Sequence, residues 1–546
     1  MGDLIHAGRR TPLAAGRTLF DSTDELDGIV PDTCRRTGRC RECVVEVRAG
    51  GEALGPTTAA EAYLRPPFRL ACQATIEDAA ADVEVAVVRR QLQIVSTAGG
   101  DPAIDRPFDL DPPVARDDDG AARRDGHRLE VPDGPLLGLA IDLGTTTIAL
   151  ALLDLETGAV RHRAALENPQ RFAGSDVIAR IEYARADADG ELRRCVRRAI
   201  DHELRVAYAG LGIDRRSVVE VVVVGNPTMR DLFLGLDVAG LGTRPFRSVA
   251  ETALRAGLRR STVVIRRAHE TGLLVHPEAR VVGGPLVGSH VGADIAADVL
   301  AVDMAGGPLV SMLIDIGTNS EIVARAGDRW LAASSPAGPA FEGGGVGGGM
   351  PAVDGAIGAV RSGDGGFDVT VIGGGEPEGI CGSGLIDLMA ELLRSGRLRR
   401  DGSFADGGRG LDVVPGRVHL ARRDVALLAQ AKAANSSGQD ILLDRLGIRA
   451  DDVERIWLAG GFASYVDPER AIDIGLLPPV PLERIARVGN ASLAGASRLL
   501  VSRRARAELE RIVAGIEHVE LELDPSFMDR FIDGCRWEPR PPGRSP

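Results

Sequence analysis

The sequence predicts a multidomain chain of α/β and α+β type: a small cysteine-bearing domain, a linker, and then a two-lobed α/β body. Three observations carry this. Four of the seven cysteines, Cys34, Cys40, Cys43 and Cys72, crowd into the first 72 of 546 residues. A stretch rich in Pro, Gly and Asp follows at about 97–135. Beyond it apolar strands alternate with helical patterns, and one strand–turn–strand pattern, Asp-x-Gly-Thr, occurs twice, at Asp142 and at Asp315. Alternation of that kind predicts an α/β architecture, and internal similarity predicts two copies of one unit with a cleft between them. The expected segments are residues 1–95, a linker at 96–135, a first lobe at 136–306 and a second at 307–546.

Composition narrows the function classes. A net charge of −13 argues against general affinity for nucleic acid or an anionic membrane. No run of eighteen apolar residues occurs, and the opening MGDLIHAGRRTPLAAG has no apolar signal-peptide core, so a cytoplasmic location is expected. An odd number of cysteines there does not suggest a disulfide framework. Only one lysine, Lys432, stands among 65 basic residues.

In the first segment, TLFDSTDELDGIVPDTCRRTGRCRECVVEV predicts a helix, a loop with three cysteines, and a strand. The fourth cysteine sits in RLACQATI, ahead of the strand DVEVAVV. The spacing C-x5-C-x2-C, then 28 residues to Cys72, is one residue longer in its first gap than the plant-type iron–sulfur spacing. It predicts that Cys34, Cys40, Cys43 and Cys72 hold one [2Fe–2S] cluster. Zinc is the alternative, although zinc sites usually present two close pairs. Cys381, in GICGSGL, reads as a small packed residue.

Each Asp-Gly-Thr turn has a physical logic. A tight turn between antiparallel strands exposes backbone N–H groups and hydroxyls that can wrap phosphate oxygens, and glycine permits close approach. Thr145, Thr146 and Thr147 beside Gly144, and Thr318, Asn319 and Ser320 beside Gly317, are the candidate donors. Asp142 and Asp315 would face each other and hold Mg²⁺ through water. A third strand, VERIWLAGG, runs into Gly460 and Gly461. The segment DVALLAQAKAANSSGQDILLDRL, which contains Lys432, is helical. Asp294 opens the helical segment GADIAADVLA, where a cap is the plain reading.

Across about 137–520 these motifs, in this order, resemble the superfamily of sugar kinases, heat-shock chaperones and actins. That resemblance implies an actin-like, ribonuclease H-like ATPase that binds ATP. It places Gly460, Gly461 and Lys432 against the adenosine and makes Asp294 a catalytic acid that orients water. Longer stretches narrow it: GNPTMRDLFLGLDVAGLGTRPF, SSPAGPAFEGGGVGGGM, EGICGSGLIDLMAEL and VGNASLAGASRLL resemble the reductive activators of corrinoid proteins. Those proteins join a small β-grasp-like [2Fe–2S] ferredoxin domain to an actin-like ATPase. The resemblance therefore implies ATP-driven transfer of one electron to the Co(II) corrinoid of a methyltransferase corrinoid protein, an external low-potential electron donor, and a homodimer. A small-molecule kinase and an ATPase switch with a regulatory iron–sulfur domain are the alternatives. One departure concerns the cysteine loop: Arg35, Arg36 and Arg41 stand where the family usually carries glycines, and their charge should raise the cluster potential.

Overall fold

The computed structural model describes residues 2–6, 9–24, 36–38, 43–87, 110–187, 190–317, 319–363, 366–461 and 463–541. The chain divides into two compact units, one of residues 1–91 with 166–206, the other of residues 92–165 with 207–546.

The first unit is built on a five-stranded sheet of order β2-β1-β5-β3-β4. Its strands are β1 (Asp3–His6), β2 (Arg9–Pro12), β3 (Val44–Ala49), β4 (Phe68–Leu70) and β5 (Val83–Val87). The pairing of β1 with β5 is parallel and the other pairings are antiparallel. A short helix α1 (Leu19–Asp24) precedes the cysteine loop, as its residues predict. Leu4, Leu13, Leu19, Val45, Leu70 and Val83 form a fully buried aliphatic core. The same unit takes in α2 (Val177–Ala186) and most of α3 (Glu191–Leu211). The Phe172 ring meets Tyr63 and Tyr183 edge-on, each at 5.6 Å, and the Tyr183 hydroxyl donates to the Tyr63 carbonyl at 2.9 Å. Arg171 pairs with Glu46 at 2.9 Å.

The second unit opens with a three-stranded antiparallel sheet, β6 (Val114–Arg116), β7 (Ala122–Arg124) and β8 (His127–Arg128). Much of the stretch expected to be linker is therefore folded. Val114 and Ala122 are buried, and Arg124 reaches the Glu278 carbonyl at 2.8 Å and the Glu220 carboxylate at 3.3 Å. Strands of two or three residues separated by Asp and Gly carry no periodicity long enough to read.

Two six-stranded sheets form the body of this unit. The first, ordered β11-β10-β9-β12-β14-β13, contains β9 (Leu137–Leu143), β10 (Thr147–Asp154), β11 (Val160–Glu167), β12 (Val218–Val224), β13 (Val264–Arg267) and β14 (Arg280–Gly283). In the second, β15 (Val310–Ile316), β16 (Ser320–Ala326) and β17 (Arg329–Ser335) form an antiparallel meander. Strands β18 (Ala356–Gly363), β19 (Gly366–Val371), β20 (Gly379–Ile380), β21 (Gly410–Val414) and β22 (Val418–Ala421) form two small separate sheets. The second large sheet is completed by β23 (Arg455–Ala459), β24 (Ile485–Gly489) and β25 (Ile516–His518), in the order β24-β23-β15-β16-β17-β25. In both large sheets an antiparallel hairpin leads, and its first strand pairs in parallel with a later, apolar strand.

Helices fill the space around these sheets: α4 (Pro227–Leu234), α5 (Ala293–Ala301), α6 (Gly382–Arg394), α7 (Arg422–Leu446), α8 (Ala491–Val501), α9 (Arg503–Gly515) and α10 (Phe527–Gly534). One core gathers α5 and α8 with Ala140, Ala151, Val222, Leu313 and Val323. The two helices cross closely, because a Cβ on Gly495 would lie 2.0 Å from the Ala297 carbonyl oxygen. Glycine is required there by space. A second core packs α6 and α7 on Met312, Ile314, Ile322 and Leu331. No helix among the described residues is long and apolar enough to cross a membrane.

Candidate functional site: a cleft of buried carboxylates

Asp142 and Asp315 occupy matching places, one residue before the ends of β9 and β15. The chain turns and returns antiparallel in each case, with Ala149 opposite Asp142 and Glu321 opposite Asp315. Gly144 donates its amide to the Thr147 carbonyl at 2.9 Å, and a Cβ there would sit 2.6 Å from that oxygen. The two turns line one cleft of about 110 Å³. Asp142, Gly144, Thr145, Thr146, Thr147, Asp294, Asp315, Gly317, Asn319, Gly460 and Gly461 all line it. Gly460 has φ +114°, and a Cβ would meet the Ile316 carbonyl oxygen at 2.4 Å, so β23 can end against the second turn only as glycine.

Two candidates depart from the reading. Ser320, first residue of β16, is buried and does not line the cleft; strand alternation sends Glu321 there instead. Lys432, on α7, lines a second cavity of about 410 Å³ that shares no described residue with the first. Its ammonium donates to the Arg536 carbonyl at 2.5 Å and lies 5.3 Å from the centre of the Trp537 ring. The structure does not bring it to the Asp-Gly turns; it is buried on α7 at the wall of that second cavity. Thr318 lies outside the described residues.

Asp294 is not the cap of α5; Gly292 holds that position, and the Asp294 carboxylate accepts from the Ile295 amide at 2.9 Å. Burial pushes Asp142 up to about 7, with the Asp315 charge adding to it. Asp294 is pushed up to about 8 by burial, then by Asp315 and Asp142. Asp315 rises to about 6 through burial, held back by a hydrogen bond from Asp298. Buried Asp298 and Glu321 are raised well above the usual carboxylate range for the same reason. A cleft lined by Asp142, Asp294, Asp315 and Glu321, with Asp298 bonded to Asp315 behind them, is built to receive positive charge.

Several of its residues escaped sequence reasoning. The Asn490 side chain caps α8 through the Leu493 amide at 2.7 Å and donates to Asp142 at 2.9 Å. Asn226 caps α4 through the Met229 amide and donates to the Thr145 hydroxyl, each at 3.0 Å. Ser492 donates to Asp298 at 2.8 Å, and Thr146 donates to Glu342 at 3.0 Å. A signal for the asparagines existed: each follows a glycine at the end of an apolar strand and opens a helix.

In the first unit, Cys43 and Cys72 are buried, and the Ala71 amide donates to the Cys43 carbonyl at 2.7 Å where β3 meets β4. Cys34 and Cys40 lie outside the described residues, as do Arg35 and Arg41. Gln73 donates to the Cys72 sulfur at 3.4 Å and to the Arg36 carbonyl at 3.1 Å. Arg36, with φ +62°, pairs with Asp21 and lies over the Phe20 ring at 4.5 Å. Two thiols with a side-chain N–H directed at one sulfur fit the donor chemistry of an iron–sulfur site. Among the described residues no group of three or more His, Cys, Asp or Glu is placed to hold a metal ion.

Comparison with known proteins gives a consistent result. Residues 309–539 match the family model described as the C-terminal domain of RACo, the ASKHA domain, and residues 137–306 match the RACo middle region. The corrinoid activation enzyme RamQ of Eubacterium limosum is 30% identical over 73% of this chain and 70% of its own length. The [Co(II) methylated amine-specific corrinoid protein] reductase of Methanosarcina barkeri is 25% identical over 73% of this chain and 76% of its own. The solved reductive activator for corrinoid, iron–sulfur protein superposes with a TM-score of 0.70, at 26% identity, over 98% of both chains. With two family models in their order along one chain, and a fold shared from end to end, the chain belongs to the RACo family of reductive activators of corrinoid proteins.

Proposed function

We propose that this chain is an ATP-dependent reductive activator, which returns the Co(II) corrinoid of a methyltransferase corrinoid protein to Co(I). The observation that carries the reading is the cleft: two Asp-Gly turns from two like-ordered sheets meet there, beside Asp294 and Glu321. Asp142 and Asp315 would hold Mg²⁺, and the turn amides and hydroxyls of Thr145, Thr146, Thr147, Thr318 and Asn319 would receive the phosphates. Gly460 and Gly461 leave room for the nucleotide where β23 ends. Asp294 orients the attacking water. The like strand orders support a duplicated actin-like ATPase with lobes at 136–306 and 307–546.

Residues 1–95 form the small redox domain in this reading, joined through 96–135, and Cys34, Cys40, Cys43 and Cys72 would hold a [2Fe–2S] cluster. When bound, that cluster supplies a one-electron reservoir, refilled by an external low-potential donor. The Gln73 amide, directed at the Cys72 sulfur, would stabilise added negative charge and favour a higher potential, whereas the Arg36 charge is taken up by its pairing with Asp21. A nucleotide-driven bias of about 5.5 kcal/mol is a roughly 10⁴-fold population shift. At about 59 mV per decade that corresponds to roughly 240 mV for one electron, a gap that ATP can bridge. The activator reading also implies a homodimer.

The test mixes reduced protein, Mg–ATP and a Co(II) corrinoid protein and follows Co(I) by its absorption. Co(I) should appear only with ATP, and neither the Asp142→Asn nor the Cys43→Ser protein should produce it. Equal reduction without ATP, or by the Cys43→Ser protein, rules the mechanism out.

A further inference from the structure

Between the cleft and α7 lies the run Gly343–Gly349, in which only Val346 is not glycine. It begins directly after Glu342, the last residue of a short 3₁₀ turn, Pro339–Glu342. Glu342 lines the cleft and accepts the Thr146 hydroxyl at 3.0 Å, so one hydrogen bond joins the first Asp-Gly turn to this segment. The run then folds on itself. Gly343, Gly345 and Gly348 have φ of +84°, +77° and +73°, and a Cβ on Gly343 would sit 2.4 Å from the Met350 nitrogen. No other residue type fits that knot.

Its far end is held by Asp424, which is fully buried in the first turn of α7. One Asp424 oxygen accepts the Gly347 amide at 3.0 Å; the other accepts the Ala421 amide at 2.9 Å. One carboxylate thus ties the knot to the start of a 25-residue helix. The line from Thr146 through Glu342 and Gly347 to Asp424 is hydrogen-bonded at both ends, with the tightly folded glycine run between them.

A threonine hydroxyl has one proton to donate. While Thr146 gives it to Glu342, that proton is not available to a phosphate oxygen. An incoming polyphosphate also brings negative charge against the Glu342 carboxylate in a desolvated cleft, where like charges repel strongly. Both effects act in one direction.

We propose that Glu342 is a latch displaced by the nucleotide: it and a phosphate oxygen compete for the one Thr146 proton, and phosphate wins it. Its release shifts the glycine knot and, through Gly347 and Asp424, reports occupancy to α7. The latch rests on the ATPase reading of the cleft and names a regulatory element within it.

Hydrogen exchange and calorimetric titration on the full chain, with and without a non-hydrolysable ATP analogue and Mg²⁺, test it. In the parent, the analogue should alter exchange over 343–350 and the first turn of α7. Glu342→Ala should show that altered exchange with no nucleotide and bind the analogue about five-fold tighter, the worth of one ordinary hydrogen bond. Glu342→Gln keeps an acceptor for Thr146 but loses the charge, so its empty state should exchange like the parent while its affinity still rises. A parent that binds the analogue with unchanged exchange over 343–350 overturns the latch and leaves the ATPase reading standing. So does a Glu342→Ala protein that binds ten-fold more weakly, because Glu342 would then be holding the cation. A parent that binds no analogue at all overturns the ATPase reading, and the latch falls with it.

Discussion

Asp142, Asp294 and Asp315 differ from ordinary surface carboxyls in where they titrate, and that difference has consequences for stability. Their native values, about 7, about 8 and about 6, lie above the ordinary 3.8. A carboxyl raised on folding binds its proton more tightly in the native state, so its stabilising contribution is complete below about pH 4. It is lost as pH rises through the native values. Without Mg²⁺, the protein should therefore lose thermal stability between about pH 4 and 8, and Mg²⁺ should restore most of it at the upper end. Scanning calorimetry checks this; stability that is flat across the window without Mg²⁺ would show that the carboxyls do not share one desolvated site. Lys432 allows a sharper measurement, because it is the only lysine in the chain. Burial lowers it to about 8. A protein labelled with ¹⁵N-lysine should give one side-chain resonance titrating near there, whereas a midpoint above 10 would place the ammonium in water. The chemistry of the Asp-Gly turns was legible because it is local: a carboxylate, a glycine and hydroxyls within a few positions. Glu321 and Asp298 were not, because a carboxyl in a strand or mid-helix looks the same in sequence whether it faces a cleft or solvent.

At the scale of elements, β12 shows how the fold accommodates one discordant residue. The strand Val218–Val224 is buried throughout and pairs in parallel with both β9 and β14, which explains its run of valines. Glu220 sits in its middle with no exposure, and three arginines reach it: Arg506 at 2.9 Å, Arg124 at 3.3 Å and Arg280 at 3.4 Å. Those arginines come from α9, β7 and β14, so one carboxylate fastens three elements to the sheet. Glu220→Ala would leave this buried positive charge uncompensated and should cost about 3–5 kcal/mol, read from urea unfolding. A loss below 1 kcal/mol would mean that the arginines find carbonyl partners without it. The long strands β9, β12, β15 and β23 were readable from apolar runs ended by glycine or aspartate. The β6–β8 sheet was not, since Arg124 fastens it to partners more than ninety positions away.

At the scale of the whole molecule, the sequence places residues 166–206 inside the first ATPase lobe, yet they pack into one compact unit with residues 1–91. The chain has few rings, and this junction uses several of them. Phe172 is wedged edge-on between Tyr63 and Tyr183, Tyr183 bonds the Tyr63 carbonyl, and Arg171 pairs with Glu46 while lying 5.8 Å from the Phe68 ring centre. Tyr63 lies five residues ahead of β4 and Phe68 begins it; β4 pairs with β3, the strand that follows Cys43. Anything that loosens the aromatic wedge should therefore loosen the sheet edge that carries the cysteine pair. Phe172 is almost fully buried, so Phe172→Ala removes a core ring and should cost about 3–5 kcal/mol. That loss should fall on the first unit alone. Amides of β3 and β4 should exchange faster in the variant, while those of β9 and β15 keep the parent rate. Leu258→Ala, at a side chain 80% exposed in the second unit, should change neither set. If Phe172→Ala speeds exchange in β9 and leaves β3 and β4 unchanged, residues 166–206 belong energetically to the ATPase lobe. Residues 1–91 would then fold without their help.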